Sequence, residues 1–292
     1  MIKKFPFTKI LGWSPSRYEA FHYCKRMYYY NYYGKNDTDS TPEKISQLKA
    51  LTSAPLATGS IVHIMIEFLL KRLQECEKDI NIEKFFDFTR KNTDEYCSNN
   101  TFMEVYYKET KAVKTDEIYK PVEACLKELL GSQRFGWIFN EAILNKKKWI
   151  IEPPGFGETR INELKAYCKV DFLFPMNDQV VILDWKTGKD KGDHFRKQLL
   201  AYTCWANYHL GVEAINIQPF VVMLSPTYNE IPFEFGNSDI KFFSVQVKEE
   251  TEEMYEYCSN VKSNIPKEKS FFAKTKSEKK CAYCNYRELC QK

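Results

Sequence analysis

A mixed α/β layer is what the sequence predicts, on two observations. Between Trp149 and Leu224 the pattern runs strand, hairpin, helix, strand, with helical patterns on either side, the arrangement of a sheet covered by helices. Within it, residues 169–186 read as a β-hairpin that carries two acids and a lysine. On its first arm Cys168, Val170, Phe172 and Phe174 alternate with Lys169, Asp171 and Leu173, the period of two of a strand. The second arm, Val180 to Trp185, is an almost continuous apolar run, as expected of a strand covered on both faces. A turn in Pro175-Met-Asn-Asp, centred between Asn177 and Asp178, sets Asp171 across from Asp184, because antiparallel partners keep a constant sum of residue numbers. Lys186 points the same way two residues further on. Taken alone, the Asp-x-Lys is also a plain salt bridge at a strand end.

A chain of 292 residues can bury a full core, either as one elaborated domain or as a domain with a sizeable insertion. Its 43% hydrophobic and 28% charged residues are ordinary for a globular protein, and a net charge of +4 permits a polyanionic partner without requiring one. The first residues lack the apolar core of a signal peptide, and the most hydrophobic helical stretch, Ile61 to Leu70, is interrupted by His63 and Glu67. The expectation is a cytoplasmic protein with no membrane segment. Ten cysteines in a reducing compartment favour metal ligation over a disulfide framework.

In chain order, Ser14-Pro-Ser-Arg17 opens a helix through a serine cap and a proline at the first position, running to about Tyr33. Its stripe Met27-Tyr-Tyr-Tyr-Asn-Tyr-Tyr33 reads as core for most of its rings. Asp37 to Ala57 is a polar loop, and a helix from Thr58 to about Lys71 places His63 and Glu67 one above the other. Residues 71–145 read as a helical insertion with helices at Ile82–Tyr96 and Asp116–Leu130. A strand begins at Trp149, Pro153-Pro-Gly-Phe-Gly is a turn, and Ile161 leads into the hairpin. After a polar connection at 190–193 comes a helix from His194 to His209, with Gln198 and Tyr202 four apart on one face. Ile215 to Leu224 is the next strand. Phe233-Glu-Phe and Phe242 to Val247 read as a shorter strand pair, and Glu249 to Lys262 as a last helix. Residues 261–292 are a lysine-rich segment and a cysteine motif.

Cys281, Cys284 and Cys290 have C-x2-C-x5-C spacing. A thiolate site needs a fourth ligand, and Cys24 on the N-terminal helix is the other cysteine in a suitable setting. A zinc knuckle completed by another residue, or free thiols, fit the trio as well.

Together, Gly59-x3-His63, Asp171, Asp184-Trp-Lys186 and Gln198-x3-Tyr202, flanked by Cys24 and the cysteine trio, resemble the PD-(D/E)XK nuclease superfamily. The similarity extends to its RecB-like branch, with the iron-sulfur cluster seen in AddB-type helicase-nucleases and CRISPR-adaptation exonucleases. The proline that names the superfamily is absent, since Val170 precedes Asp171, and the second acid is Asp184. The resemblance implies a restriction-endonuclease-like core, a mixed central sheet flanked by helices, and a [4Fe-4S] cluster joining the N- and C-terminal segments through Cys24, Cys281, Cys284 and Cys290. It implies Mg²⁺ or Mn²⁺ on His63, Asp171, Asp184 and the Trp185 carbonyl, with Lys186, Gln198 and Tyr202 completing the catalytic set. Glu67 is added from helical spacing alone, as a further metal ligand. The implied activity is a metal-dependent DNA exonuclease acting on single-stranded or frayed ends, in repair, recombination or CRISPR adaptation, with a helicase or adaptation proteins as partners. The alternative is a non-catalytic iron-sulfur scaffold subunit, against which the intact Asp171, Asp184 and Lys186 argue.

Overall fold

The computed structural model describes residues 2–76, 80–176, 178–188 and 192–290. The expected turn residue Asn177, part of the expected connection at 190–193, and a few residues of the expected insertion and C-terminal segment lie outside them. The chain forms two compact units. One is built mainly from Thr52–Gly157 and Cys168–Lys241, the other from Lys3–Leu51, Glu158–Tyr167 and Phe242–Lys292.

The second unit opens the chain. Ser14 caps α1 (Pro15–Tyr23) by accepting a hydrogen bond from the Arg17 N–H at 3.1 Å. The single helix expected to Tyr33 is instead two, because Cys24 adopts an extended conformation (φ −163°, ψ 117°) between α1 and α2 (Lys25–Tyr33). Cys24 still serves both helices: its N–H donates to the Ala20 carbonyl and its own carbonyl accepts from Tyr28. The tyrosine stripe is core as expected, with Tyr28, Tyr29, Tyr30 and Tyr33 buried. Within the polar stretch that follows, Thr41 caps α3 (Pro42–Lys49).

The first unit begins with α4 (Ala54–Glu75), which is long and apolar enough by composition to cross a membrane. One of its faces is buried in protein. Met65 and Leu69 share an apolar cluster with Val122 and Leu126 of a later helix and with Phe172, Phe174 and Leu183 of the sheet. Burying each such side chain contributes about 1.5–3 kcal/mol. Residues 82–140 supply α5 (Ile82–Asn99), α6 (Met103–Tyr106), α7 (Thr115–Leu130) and α8 (Gln133–Asn140); α5 and α7 match the two helices expected there, and α6 and α8 were not expected. Then come β1 (Ile150–Ile151) and a single turn, α9 (Pro154–Gly157). Gly157 has φ +67°, and a Cβ there would stand 2.0 Å from the Cys168 carbonyl oxygen, so only glycine fits.

A hairpin unforeseen in the sequence, β2 (Glu158–Ile161) with β3 (Leu164–Tyr167), belongs to the second unit. The chain returns to the first unit with β4 (Phe172–Met176) and β5 (Gln179–Lys186), then α10 (Asp193–Leu210), β6 (Ile217–Met223) and β7 (Asn229–Pro232). The sheet order is β1-β4-β5-β6-β7. Among the described strands of this sheet only β5 and β6 run parallel, and α10 is the crossover that a parallel pair requires. Leu199 and Trp205 of α10 are buried.

The strands expected at Phe233–Phe235 and Phe242–Val247 are not formed. The second of these lies in α11 (Asn237–Tyr255), which also displaces the helix expected at Glu249–Lys262 toward the N-terminus. Phe243, Val247, Thr251 and Met254 are buried on it at spacings of three and four, so the short alternation near Phe242 is a fragment of a longer helical period. β8 (Cys258–Asn260) pairs with β9 (Ile265–Pro266), and α12 (Glu278–Ala282) and α13 (Arg287–Cys290) end the described chain.

Candidate active site

In the hairpin Phe172 faces Leu183 and Met176 faces Gln179, the register predicted from the constant sum. The first strand starts later than expected, at Phe172, so Asp171 lies just before it and opposite Asp184. Asp171 Oδ2 accepts a hydrogen bond from the Trp185 N–H at 3.0 Å, tying the two arms together at their acidic end. The same oxygen lies 3.4 Å from His63 Nδ1. Helix α4 brings His63 there, and Gly59, one turn earlier, allows the approach: a Cβ at that position would stand 3.2 Å from Thr187 Oγ1.

Asp184 is 0% exposed. Lys186 Nζ comes within 2.6 Å of its Oδ2, a charge contact without the angles of a directed hydrogen bond, and neither Asp184 oxygen accepts one among the described residues. Burial pushes the Asp184 carboxyl up to about 6; Lys186 opposes this and the Asp171 charge adds to it. Asp171 is held below the usual carboxylate range, because His63, Lys186 and the Trp185 N–H together outweigh burial. Burial works against a charge on His63 as well, yet the Asp171 carboxylate outweighs it and raises the imidazole pKa. A buried acid and a partly buried one are therefore driven apart, a pattern concentrated at functional sites.

His63, Asp171, Trp185 and Lys186 line one cavity of about 630 Å³, and Glu67 lines it too. Glu67 also pairs with Lys71 on its own helix. Gln198 Nε2 donates to the Tyr202 hydroxyl at 2.7 Å. Neither residue lines the cavity, but Tyr202 is buried, and after burial the charges of Asp184 and Asp171 push its phenol up. Among the lining residues not singled out from the sequence are Lys169 and Glu152, whose Nζ and Oε2 lie 2.6 Å apart. Lys169 stood in the strand alternation as an ordinary outward residue, and nothing in the sequence marks Glu152.

In the second unit Cys24, Cys281, Cys284 and Cys290 line a separate cavity of about 150 Å³. The bend at Cys24 and the Cys284 N–H to Cys281 carbonyl bond, at 3.1 Å, shape its walls. Burial pushes the Cys284 thiol up to about 11, and nearby Cys290, Cys24 and Cys281 add to it. Among the described residues no three His, Cys, Asp or Glu side chains form a preformed metal cage, in either cavity.

A family model described as the PD-(D/E)XK nuclease superfamily matches residues 12–291. The chain belongs to that superfamily. Membership carries a nuclease-type function; nucleases of this superfamily act on DNA and usually use a divalent metal such as Mg²⁺ or Mn²⁺. The mixed sheet flanked by helices fits the superfamily's fold. No curated protein matches the sequence. A solved structure described as the crystal structure of SSO0001 is 18% identical, with 78% of this chain and 96% of that one covered and a TM-score of 0.32.

Proposed function

We propose that this member of the superfamily is a metal-dependent DNA exonuclease of the RecB-like branch, acting on single-stranded or frayed ends. The observation that carries the reading is Asp184, a fully buried carboxylate whose two oxygens accept no directed hydrogen bond. Burying such a group is costly unless positive charge meets it; Lys186 meets Oδ2 and leaves Oδ1 for a second cation, and hard carboxylate oxygens suit Mg²⁺ or Mn²⁺. Asp184, Asp171, His63 and the Trp185 carbonyl would hold the ion, with Glu67 as a further ligand from the cavity wall. Bound there, it supplies Lewis acidity, which activates water and neutralises phosphate charge. Lys186, held by Asp184, donates hydrogen bonds to the attacking water and to the phosphate as negative charge builds in the transition state. Water adds to phosphorus, the ester P–O bond breaks, and the leaving alkoxide takes up a proton. Tyr202 and Gln198, hydrogen-bonded to each other, would steady the site.

In the second unit we propose that the four cysteines hold a [4Fe-4S] cluster with a structural role. Four thiols around one small cavity support it, since soft thiolate donors select such a group.

The test is degradation of end-labelled single- and double-stranded DNA by anaerobically purified protein with Mg²⁺ or Mn²⁺, beside Asp184→Ala and Lys186→Ala, with iron assayed on each sample. Metal-dependent cleavage lost in both variants at unchanged iron content is the expected result. Cleavage that survives both substitutions would remove the hairpin from the chemistry.

A further inference from the structure

The cavity wall formed by α4 has a feature that metal chemistry does not use. Leu56, Ser60, Ile64 and Phe68 follow one another at intervals of four, so they form one ridge that winds slowly around the helix. Leu56, Ile64 and Phe68 are 63%, 45% and 42% exposed, whereas the opposite face of α4 fills the core. The row therefore adds little to folding, and its contiguous apolar surface stays wet. Leu56, Ser60 and Ile64 line the catalytic cavity itself. Beyond them the Phe68 ring lies 4.5 Å from that of Phe88 on α5, centroid to centroid, extending the line with an aromatic platform.

The same cavity is also lined by Lys169 and Lys186. Each is ion-paired, with Glu152 and Asp184 respectively, but an ammonium has three donors, so each can still meet an anion. Beside its carboxylates Glu67, Glu152 and Asp171, the cavity thus offers an apolar row and two cationic groups. A single nucleic-acid strand has that division, with bases along one side and phosphates along the other. A duplex hides its base faces in the stack, and an apolar peptide makes no use of the lysines. At 1.5 Å per residue the row spans about 18 Å, enough for a few nucleotides.

We infer that Leu56, Ile64 and Phe68 form a track for unpaired bases and are the determinants of single-strand preference at this site. The inference rests on the nuclease reading above and names the chemistry of its substrate. Apolar wedges and aromatic platforms of this kind engage unstacked bases.

The test is fluorescence anisotropy of the full chain in Ca²⁺ buffer with three labelled probes: a thymidine oligonucleotide, an abasic strand of equal length, and a blunt duplex. The proteins are the wild type, Leu56→Ser/Ile64→Ser, Phe68→Ser and, as control, Leu144→Ser, which removes a strongly exposed apolar side chain outside the cavity. The wild type is expected to favour the base-bearing strand over the abasic one by about tenfold or more. The double variant should lose most of that preference and Phe68→Ser part of it, with abasic binding unchanged and Leu144→Ser like the wild type. Equal wild-type affinity for the two strands would overturn the track, as would tight binding of the blunt duplex, or equal loss on both strands in the double variant. Base-selective binding by a protein that cleaves nothing with Mg²⁺ or Mn²⁺ would support the track and sink the nuclease reading. Cleavage without base selectivity would do the reverse.

Discussion

Asp184 shows at the scale of one residue how a site draws on folding stability. Its carboxylate is wholly buried, with Lys186 as its close cationic contact and no directed hydrogen bond. A buried charge so poorly satisfied costs free energy that a neutral amide does not. Lys186 is partly exposed, so it can turn to water when its partner is neutralised. Because burial raises its pKa to about 6, ionising Asp184 at pH 7 costs folding free energy, and Asp184→Asn should raise stability in chelator by about 1–2 kcal/mol, read as a higher thermal midpoint, while abolishing cleavage. Added Mn²⁺ should raise the wild-type midpoint and leave the variant unmoved, because ligand binding stabilises only the state that holds the site. A variant that melts below the wild type in chelator would show that Asp184 is part of the scaffold and no strained ligand.

At the scale of elements, legibility followed the range of the interaction. The hairpin could be read to the residue because its register depends on a constant sum and a local turn, and the observed Phe172–Leu183 pairing keeps that sum. Helix α11 was misread because the stretch near Phe242 fits periods of two and of four, and only burial at Phe243, Val247, Thr251 and Met254 separates them. The Glu152–Lys169 pair was invisible because nothing local joins β1 to the residues before β4. Arg134 of α8 and Glu230 of β7 are another such pair, at 2.6 and 2.9 Å in a forked contact. Burial raises the Glu230 pKa, but hydrogen bonds from Arg134 and Tyr228 outweigh it and the net shift is downward. A carboxylate lowered on folding stabilises above its unfolded pKa, and the contribution fades as pH falls through its folded value. Glu230→Gln should thus destabilise by about 1 kcal/mol or less at pH 7, the pair being half-screened by solvent. The difference should close in denaturant melts taken below about pH 4. A backbone counterpart is Gly157→Ala, where a positive φ and the Cys168 carbonyl both oppose a methyl group. It should cost at least about 1–3 kcal/mol in the same melts.

At the scale of the molecule, the second unit is assembled from three stretches far apart in sequence, Lys3–Leu51, Glu158–Tyr167 and Phe242–Lys292. Closing such loops is entropically costly, and two kinds of interaction offset it. One is the aromatic core, where Tyr28, Tyr29 and Tyr33 of α2 meet Phe272 from the C-terminal stretch. The other would be the proposed cluster in the cysteine cavity, whose four thiols come from both ends of the chain. A shared cluster would link those ends as a covalent clip does, by limiting the freedom of the unfolded chain. On that proposal the order of α2 against the C-terminal stretch would depend on iron, whereas the β4–β5 hairpin, buried in the first unit, holds its order through packing. Hydrogen exchange on Cys284→Ser, or on protein stripped of iron, should show faster exchange in α1, α2 and residues 269–290. The amides of β5 should stay protected. Unchanged exchange in α2 after iron loss would mean that the aromatic core alone closes this unit, and a loss of protection spread evenly over both units would mean that the cluster supports global stability and acts as no local clip.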